Sequence, residues 1–274
     1  MLGLLAQASP SATCATTHCF VVLKAADEFT KLTGSLAAFT FTSLIFLVGR
    51  ATDRSKLEDT TIMFVTAFLS LVIASFLYER LSADELPTGR AQALYFSASI
   101  VFALAVLGLF LGLTRLLMRL GYGAASRFMR GVSVGFLPPI VYVFLMITAV
   151  DGYGFEMTEA HAWFHTSVGY VAIACAVALA SVVAWRLWVT FHAQNRLPAH
   201  DKRLVRCAVS TLVLIGLITA AAAAVSELGP RTTFPEAVYA AGLAISTVAI
   251  AVYTGLASAG GLPEEADAVL DATA

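Results

Sequence analysis

The chain has 274 residues, of which 59% are hydrophobic and only 13% charged, and its mean hydropathy is +0.82. Soluble domains carry about 25% charged residues, so this composition excludes an ordinary soluble protein and predicts an all-α integral membrane protein. The formal net charge of −1 identifies no partner. We expect the lipid bilayer as its environment and no binding of nucleic acid.

Residues 1–30 are predicted to form a short head outside the membrane domain. The head lacks a basic start and a long apolar run, so it does not resemble a signal peptide. Cys14 and Cys19 are close enough in sequence to form a disulfide in an oxidising compartment. Two free thiols are an equal alternative.

Seven apolar stretches follow, each long enough as a helix to cross a hydrocarbon core of about 30 Å. They lie at about 32–48, 62–78, 93–113, 134–150, 163–191, 207–225 and 238–256. The pattern predicts a seven-span transmembrane helical bundle over residues 31–258. Residues 259–274 form an acidic tail.

The first span carries five hydroxyl side chains: Thr33, Ser35, Thr40, Thr42 and Ser43. Hydroxyls in a membrane helix can donate to a carbonyl of the preceding turn, which satisfies them locally. We favour that interpretation over a polar face that lines a transport path.

Three spans carry small residues at positions that share one helix face. Such stripes let two helices approach closely, and close packing drives association inside a bilayer. The residues are Ala105, Gly108 and Gly112 in the third span, Ala172, Ala176, Ala180 and Ala184 in the fifth, and Gly216, Ala220 and Ala224 in the sixth.

The fifth span has twenty uncharged residues between His165 and Arg186, with Trp163 at one end and Trp185 and Trp188 at the other. Tryptophan prefers the level of the lipid headgroups. Together with the alanine stripe, this pattern predicts that the fifth span lies near the centre of the bundle.

The fourth span contains Pro138 and Pro139. Two prolines remove backbone donors and clash with the preceding turn, so we expect the helix to kink there or to begin only after them. Broken helices line many transporter sites, but no matching break occurs in a second half of the chain. A structural kink is therefore the preferred interpretation.

Basic residues alternate strictly between the loops, with twelve on one side and five on the other, counting the two in the head. This asymmetry predicts an external N-terminus and a cytoplasmic C-terminus. The excess of arginine over lysine, together with the abundant alanine, suggests a GC-rich bacterial genome, so we expect the inner (plasma) membrane of a bacterium. The richer set is Arg50, Arg54, Lys56, Arg115, Arg119, Arg127, Arg130, Arg186, Arg196, Lys202, Arg203 and Arg206.

No span carries an Asp, Glu, Lys, Arg or His near its middle. Such residues mark proton relays, ion-coupled transport and retinal counter-ions, so the sequence argues against these functions. The last span also lacks a lysine that could hold retinal. We predict no catalytic residue and no cofactor.

One external loop, between the fourth and fifth spans, combines histidines with acids. His161 and His165 are four residues apart and share a face if helical, and Glu156 or Glu159 could complete the shell of a transition metal. The alternative is a loop kept free of positive charge by the topology. HAWFH lacks the glutamate of the HExxH protease motif.

Three functions remain open. The first is a non-enzymatic membrane subunit or scaffold that associates, with another membrane protein or with itself, through small-residue helix faces. The second is a channel or facilitator for a small solute or ion. The third is a sensor or metal-dependent enzyme that uses the external histidine loop.

Overall fold

The computed structural model describes residues 22–50, 54–82, 89–154, 167–192, 201–227 and 234–258. Every regular element in these ranges is helical. The helices are α1 (Val22–Arg50), α2 (Arg54–Ser82), α3 (Gly89–Arg119), α4 (Gly123–Gly131), α5 (Leu137–Gly154), α6 (Ser167–His192), α7 (Asp201–Ser226) and α8 (Glu236–Ser258), with a π-helical turn at Val132–Phe136.

Seven membrane-length segments are present in the described residues, because α4, the π-helical turn and α5 form one span over Gly123–Val150. The predicted all-α class and the number of spans are confirmed. The fourth span begins well before residue 134, where the sequence placed it. Its first turns carry Arg127 and Arg130. Because these residues are charged, a pattern of apolar residues does not detect the start of the helix.

The centre of the bundle is α3, not the fifth predicted span. In the most apolar stretch of α3, 72% of the residues are buried, against 22% in α6. Helices α2, α5, α7 and α8 all pack on α3, whereas α6 lies at the edge against α5 and α8. The expectation of a central fifth span was wrong because lipid is as apolar as a helix neighbour, so an uncharged run does not distinguish the two surroundings.

A cluster of aromatic rings joins four helices around one end of α3. Phe29 of α1 stacks on Tyr78 of α2 with ring centroids 5.3 Å apart, and Phe144 of α5 lies 5.5 Å from Phe29. Tyr95 and Phe102 of α3 complete the cluster. Aromatic pairs at these distances stabilise the fold beyond the contribution of burial alone. This cluster therefore stabilises the packing of α1 and α5 on the central helix.

A tight turn at Gly121 connects α3 to α4. Gly121 has φ +77°, its N–H donates to the carbonyl of Met118 at 3.2 Å, and the N–H of Tyr122 donates to Leu117 at 3.0 Å. These two bonds and the positive φ form a Schellman motif, which favours glycine because a β-carbon is disfavoured there. The turn brings α4 back along the end of α3.

We expect Gly121→Ala to destabilise the bundle by about 1 kcal/mol, since alanine must adopt a left-handed backbone conformation. The measurement is equilibrium unfolding in mixed detergent micelles. Gly123→Ala is the matched control, because Gly123 lies inside α4 and a β-carbon there meets no described atom within 4 Å. Equal losses in the two variants would contradict the assignment of strain to Gly121.

Candidate helix-association site

The small residues of α3 face the interior of the bundle. Ala105 is 1% exposed. A β-carbon at Gly108 would lie 3.7 Å from the hydroxyl of Tyr253 and 3.8 Å from Ala67, and one at Gly112 would lie 3.4 Å from the ring of Phe64. The stripe of the third span is thus covered by α2 and α8 of the same chain.

The alanine stripe of α6 is divided between two environments. Ala172 is fully buried, and its carbonyl accepts a hydrogen bond from the hydroxyl of Tyr142. Ala176 is half-buried, while Ala180 and Ala184 are exposed. Only the first half of this stripe is covered by the chain's own helices.

The stripe of α7 faces outward along its whole length. Gly216, Ala220 and Ala224 are all exposed, and a β-carbon at Gly216 would meet no atom within 4 Å in the described part of the chain. The opposite side of α7 packs against the bundle through Ile215 and Ala222. We call Gly216, Ala220 and Ala224 the α7 face.

The α7 face has no polar group that needs water. The only hydroxyl near its middle, on Thr219, donates to the carbonyl of Ile215 at 2.8 Å. The stretch from Cys207 to Val225 carries no charge. Such a surface can contact lipid tails or another apolar helix, and its small side chains allow the backbone of a neighbour to approach closely.

The prolines of the fourth span follow a change of helix type. The N–H of Leu137 donates to the carbonyl of Val132, five residues earlier, which closes the π-helical turn. Pro138 and Pro139 then occupy the first turn of α5, where missing N–H groups and the proline ring are tolerated. The change therefore falls immediately before the prolines, and the helical path continues through Gly154.

The hydroxyls of α1 bond to their own helix. Thr33, Ser35, Thr40, Thr42 and Ser43 each donate to the carbonyl four residues earlier, at 2.7–2.9 Å. These bonds agree with the interpretation that the hydroxyls are satisfied within their own helix. Each hydroxyl oxygen can still accept a hydrogen bond, so the channel remains an alternative that these bonds do not test.

The histidine loop between the fourth and fifth spans lies outside the described residues, so His161, His165, Glu156 and Glu159 remain predictions as metal ligands. The same holds for the disulfide between Cys14 and Cys19. Among the residues that the structure describes, no three His, Cys, Asp or Glu side chains come together as a metal site.

Gly242, which none of the stripes predicted from the sequence includes, brings α8 against α3. A β-carbon at Gly242 would lie 2.6 Å from the ring of Phe96. Ser246, four residues later, is buried and donates to the carbonyl of Gly242 at 2.7 Å. The spacing of Gly242 and Ser246 is the same small-residue signal that identified the other stripes.

No family model, curated protein or solved structure matches this chain. The structural class of the protein is therefore assigned from its own helices alone. Seven apolar helices of membrane length, packed around α3 and without a strand in the described ranges, make it a multi-pass helical membrane protein.

Proposed function

We propose that this protein is a non-enzymatic membrane subunit whose α7 face packs against a transmembrane helix outside its own bundle. The observation that carries the proposal is the outward orientation of Gly216, Ala220 and Ala224. Helix-interior glycine costs about 1 kcal/mol relative to alanine. At Gly108 and Gly112 a β-carbon would meet neighbouring side chains, so glycine permits close packing there, whereas a β-carbon at Gly216 would meet no described atom within 4 Å.

The proposed setting is a bacterial inner membrane, with the N-terminus outside and the C-terminus in the cytoplasm. The alternation of basic residues between loops supports this orientation. In either orientation the α7 face lies at the depth of the lipid tails, because it belongs to the membrane-length segment Val205–Ser226. The partner surface must therefore be a transmembrane helix.

A bulky side chain on the α7 face should weaken association without unfolding the bundle. We expect Ala220→Leu to weaken it at least about tenfold, which corresponds to about 1.4 kcal/mol and lies within the usual cost of overpacking. The measurement is native mass spectrometry of the full chain in mild detergent at several protein concentrations. A second copy and a different membrane protein are distinguished by mass.

Ala221→Leu is the matched control. Ala221 is also exposed and undergoes the same change in size, but it lies about 100° further around the helix, off the stripe. Loss of association in the Ala220 variant alone supports the proposal. A monomer in the unsubstituted protein, or equal effects of the two substitutions, would overturn it.

A further inference from the structure

Arg130 of α4 lies against α3 with few of its hydrogen-bond donors used. Its Nη2 approaches the sulfur of Met118 at 3.8 Å, and its buried Nε has no acceptor among the residues that the structure describes. A guanidinium has five N–H donors, and a thioether is a weak acceptor. A cation with unused donors is costly to bury unless an anion accepts from it.

The α3–α4 hairpin, as the structure describes it, supplies no such anion. Residues 114–131 include four arginines and no aspartate or glutamate. Arg115 donates to the carbonyl of Leu256 at 3.0 Å. Arg127 lies three residues before Arg130, and so on the same side of the helix, and it is exposed. In the described structure neither Arg127 nor Arg130 forms a salt bridge with a carboxylate.

The depth of Arg130 in the bundle corresponds to lipid headgroups. A β-carbon at Gly135 would lie 3.4 Å from Leu187 of α6, which stands between Trp185 and Trp188. Both tryptophans are exposed, and exposed tryptophan marks the headgroup level. Arg130 precedes Gly135 by five residues, so at about 1.5 Å per residue it lies about 7 Å nearer the α3–α4 turn than Gly135 does.

Large exposed apolar side chains occur on the same hairpin as the two arginines. Phe128 is 70% exposed, and Leu120 and Tyr122 are also exposed. A dissolved anion gains nothing from these side chains, whereas the acyl chains and glycerol of a lipid would cover them. The combination of cationic and apolar groups therefore favours a lipid over free phosphate.

We propose that Arg127 and Arg130 bind the phosphate of an anionic phospholipid at the α3–α4 hairpin. In this arrangement Nε of Arg130 donates to a phosphate oxygen, and the exposed Arg127 provides a second charged contact. The lipid would hold α4 against the end of α3. This site is separate from the α7 face, so each proposal can fail without the other.

The test is native mass spectrometry of the full chain titrated with phosphatidylglycerol or with phosphatidylcholine of the same acyl chains. We expect Arg130→Gln to reduce the preference for phosphatidylglycerol about fivefold, since one arginine near the surface contributes about 1 kcal/mol. Arg127→Gln should act in the same direction and, because Arg127 is exposed, should not impair folding.

Arg206→Gln is the matched control, because it removes one positive charge from an exposed position on α7. The proposal is supported if both α4 variants lose the preference and the control keeps it. Equal losses in all three variants would mean general surface attraction and would overturn it. Displacement of the lipid by millimolar inorganic phosphate would also overturn it, because the site would then recognise a dissolved anion.

Discussion

Gly242→Ala should destabilise the bundle more than alanine at any other described glycine. The added β-carbon would lie 2.6 Å from Cε1 and 3.1 Å from Cζ of Phe96, whereas carbon atoms pack best at about 3.5–4.0 Å. Phe96 is 4% exposed, and its ring lies 5.6 Å from that of Tyr239. The ring has little room to rotate, so α8 must move away from α3. We expect a loss of about 1–3 kcal/mol.

Equilibrium unfolding in mixed detergent micelles measures this loss. Gly216→Ala is the control, since its β-carbon meets no described atom within 4 Å. In a monomer it should be neutral or stabilise α7 by up to about 1 kcal/mol, because alanine favours helix.

A second substitution tests whether Phe96 causes the clash. Phe96→Leu alone should destabilise by leaving a cavity, but in the Gly242→Ala background it should restore part of the stability. The two changes would then be strongly non-additive. Additive losses would show that the contact between Gly242 and Phe96 does not limit the approach of α8 to α3.

The number and class of the helices were predictable from the sequence because crossing a bilayer demands long uncharged runs. The basic residues did not mark where the helices begin and end. Arg115 lies inside the segment Arg90–Arg119, and Arg186 lies inside Val168–Val189. In the fourth span, Arg127 and Arg130 lie inside the helical segment Gly123–Val150. An arginine near the end of a span can extend its charge toward the headgroups, so charge did not mark the start of that helix.

The orientation of each helix was not predictable, because small-residue spacing is the same on inner and outer faces. A β-carbon at Gly108 of α3 would lie within 4 Å of Tyr253 and Ala67, while one at Gly216 of α7 would meet no described atom within 4 Å. In α6, Ala172 is buried and Ala180 is exposed. Neither water nor hydropathy distinguishes the two sides of a membrane helix, so only the packed structure shows which stripe remains available to a partner.

Ser99→Ala should be more damaging than Tyr78→Phe, although both remove the same hydrogen bond. The hydroxyl of Ser99 donates to the carbonyl of Tyr95 at 2.8 Å, so its proton is already used. The 3.0 Å contact between the two side chains therefore has Tyr78 as donor and Ser99 as acceptor. Tyr78 is fully buried, and Ser99 is the acceptor that the described structure provides for its O–H.

The two losses differ because an orphaned buried donor costs more than an absent hydrogen bond. We expect about 1 kcal/mol for Tyr78→Phe, which keeps the ring against Phe29, and up to about 3 kcal/mol for Ser99→Ala. Ser181→Ala is the control, since this exposed serine also bonds to its own helix, through Val177 at 2.8 Å, and has no described tyrosine partner.

The double variant tests the direction of the hydrogen bond. Removing the tyrosine hydroxyl as well should make Tyr78→Phe/Ser99→Ala more stable than Ser99→Ala alone, because no donor is then orphaned. A double variant that is less stable than Ser99→Ala alone would contradict this assignment, because the tyrosine hydroxyl would then not be an orphaned donor.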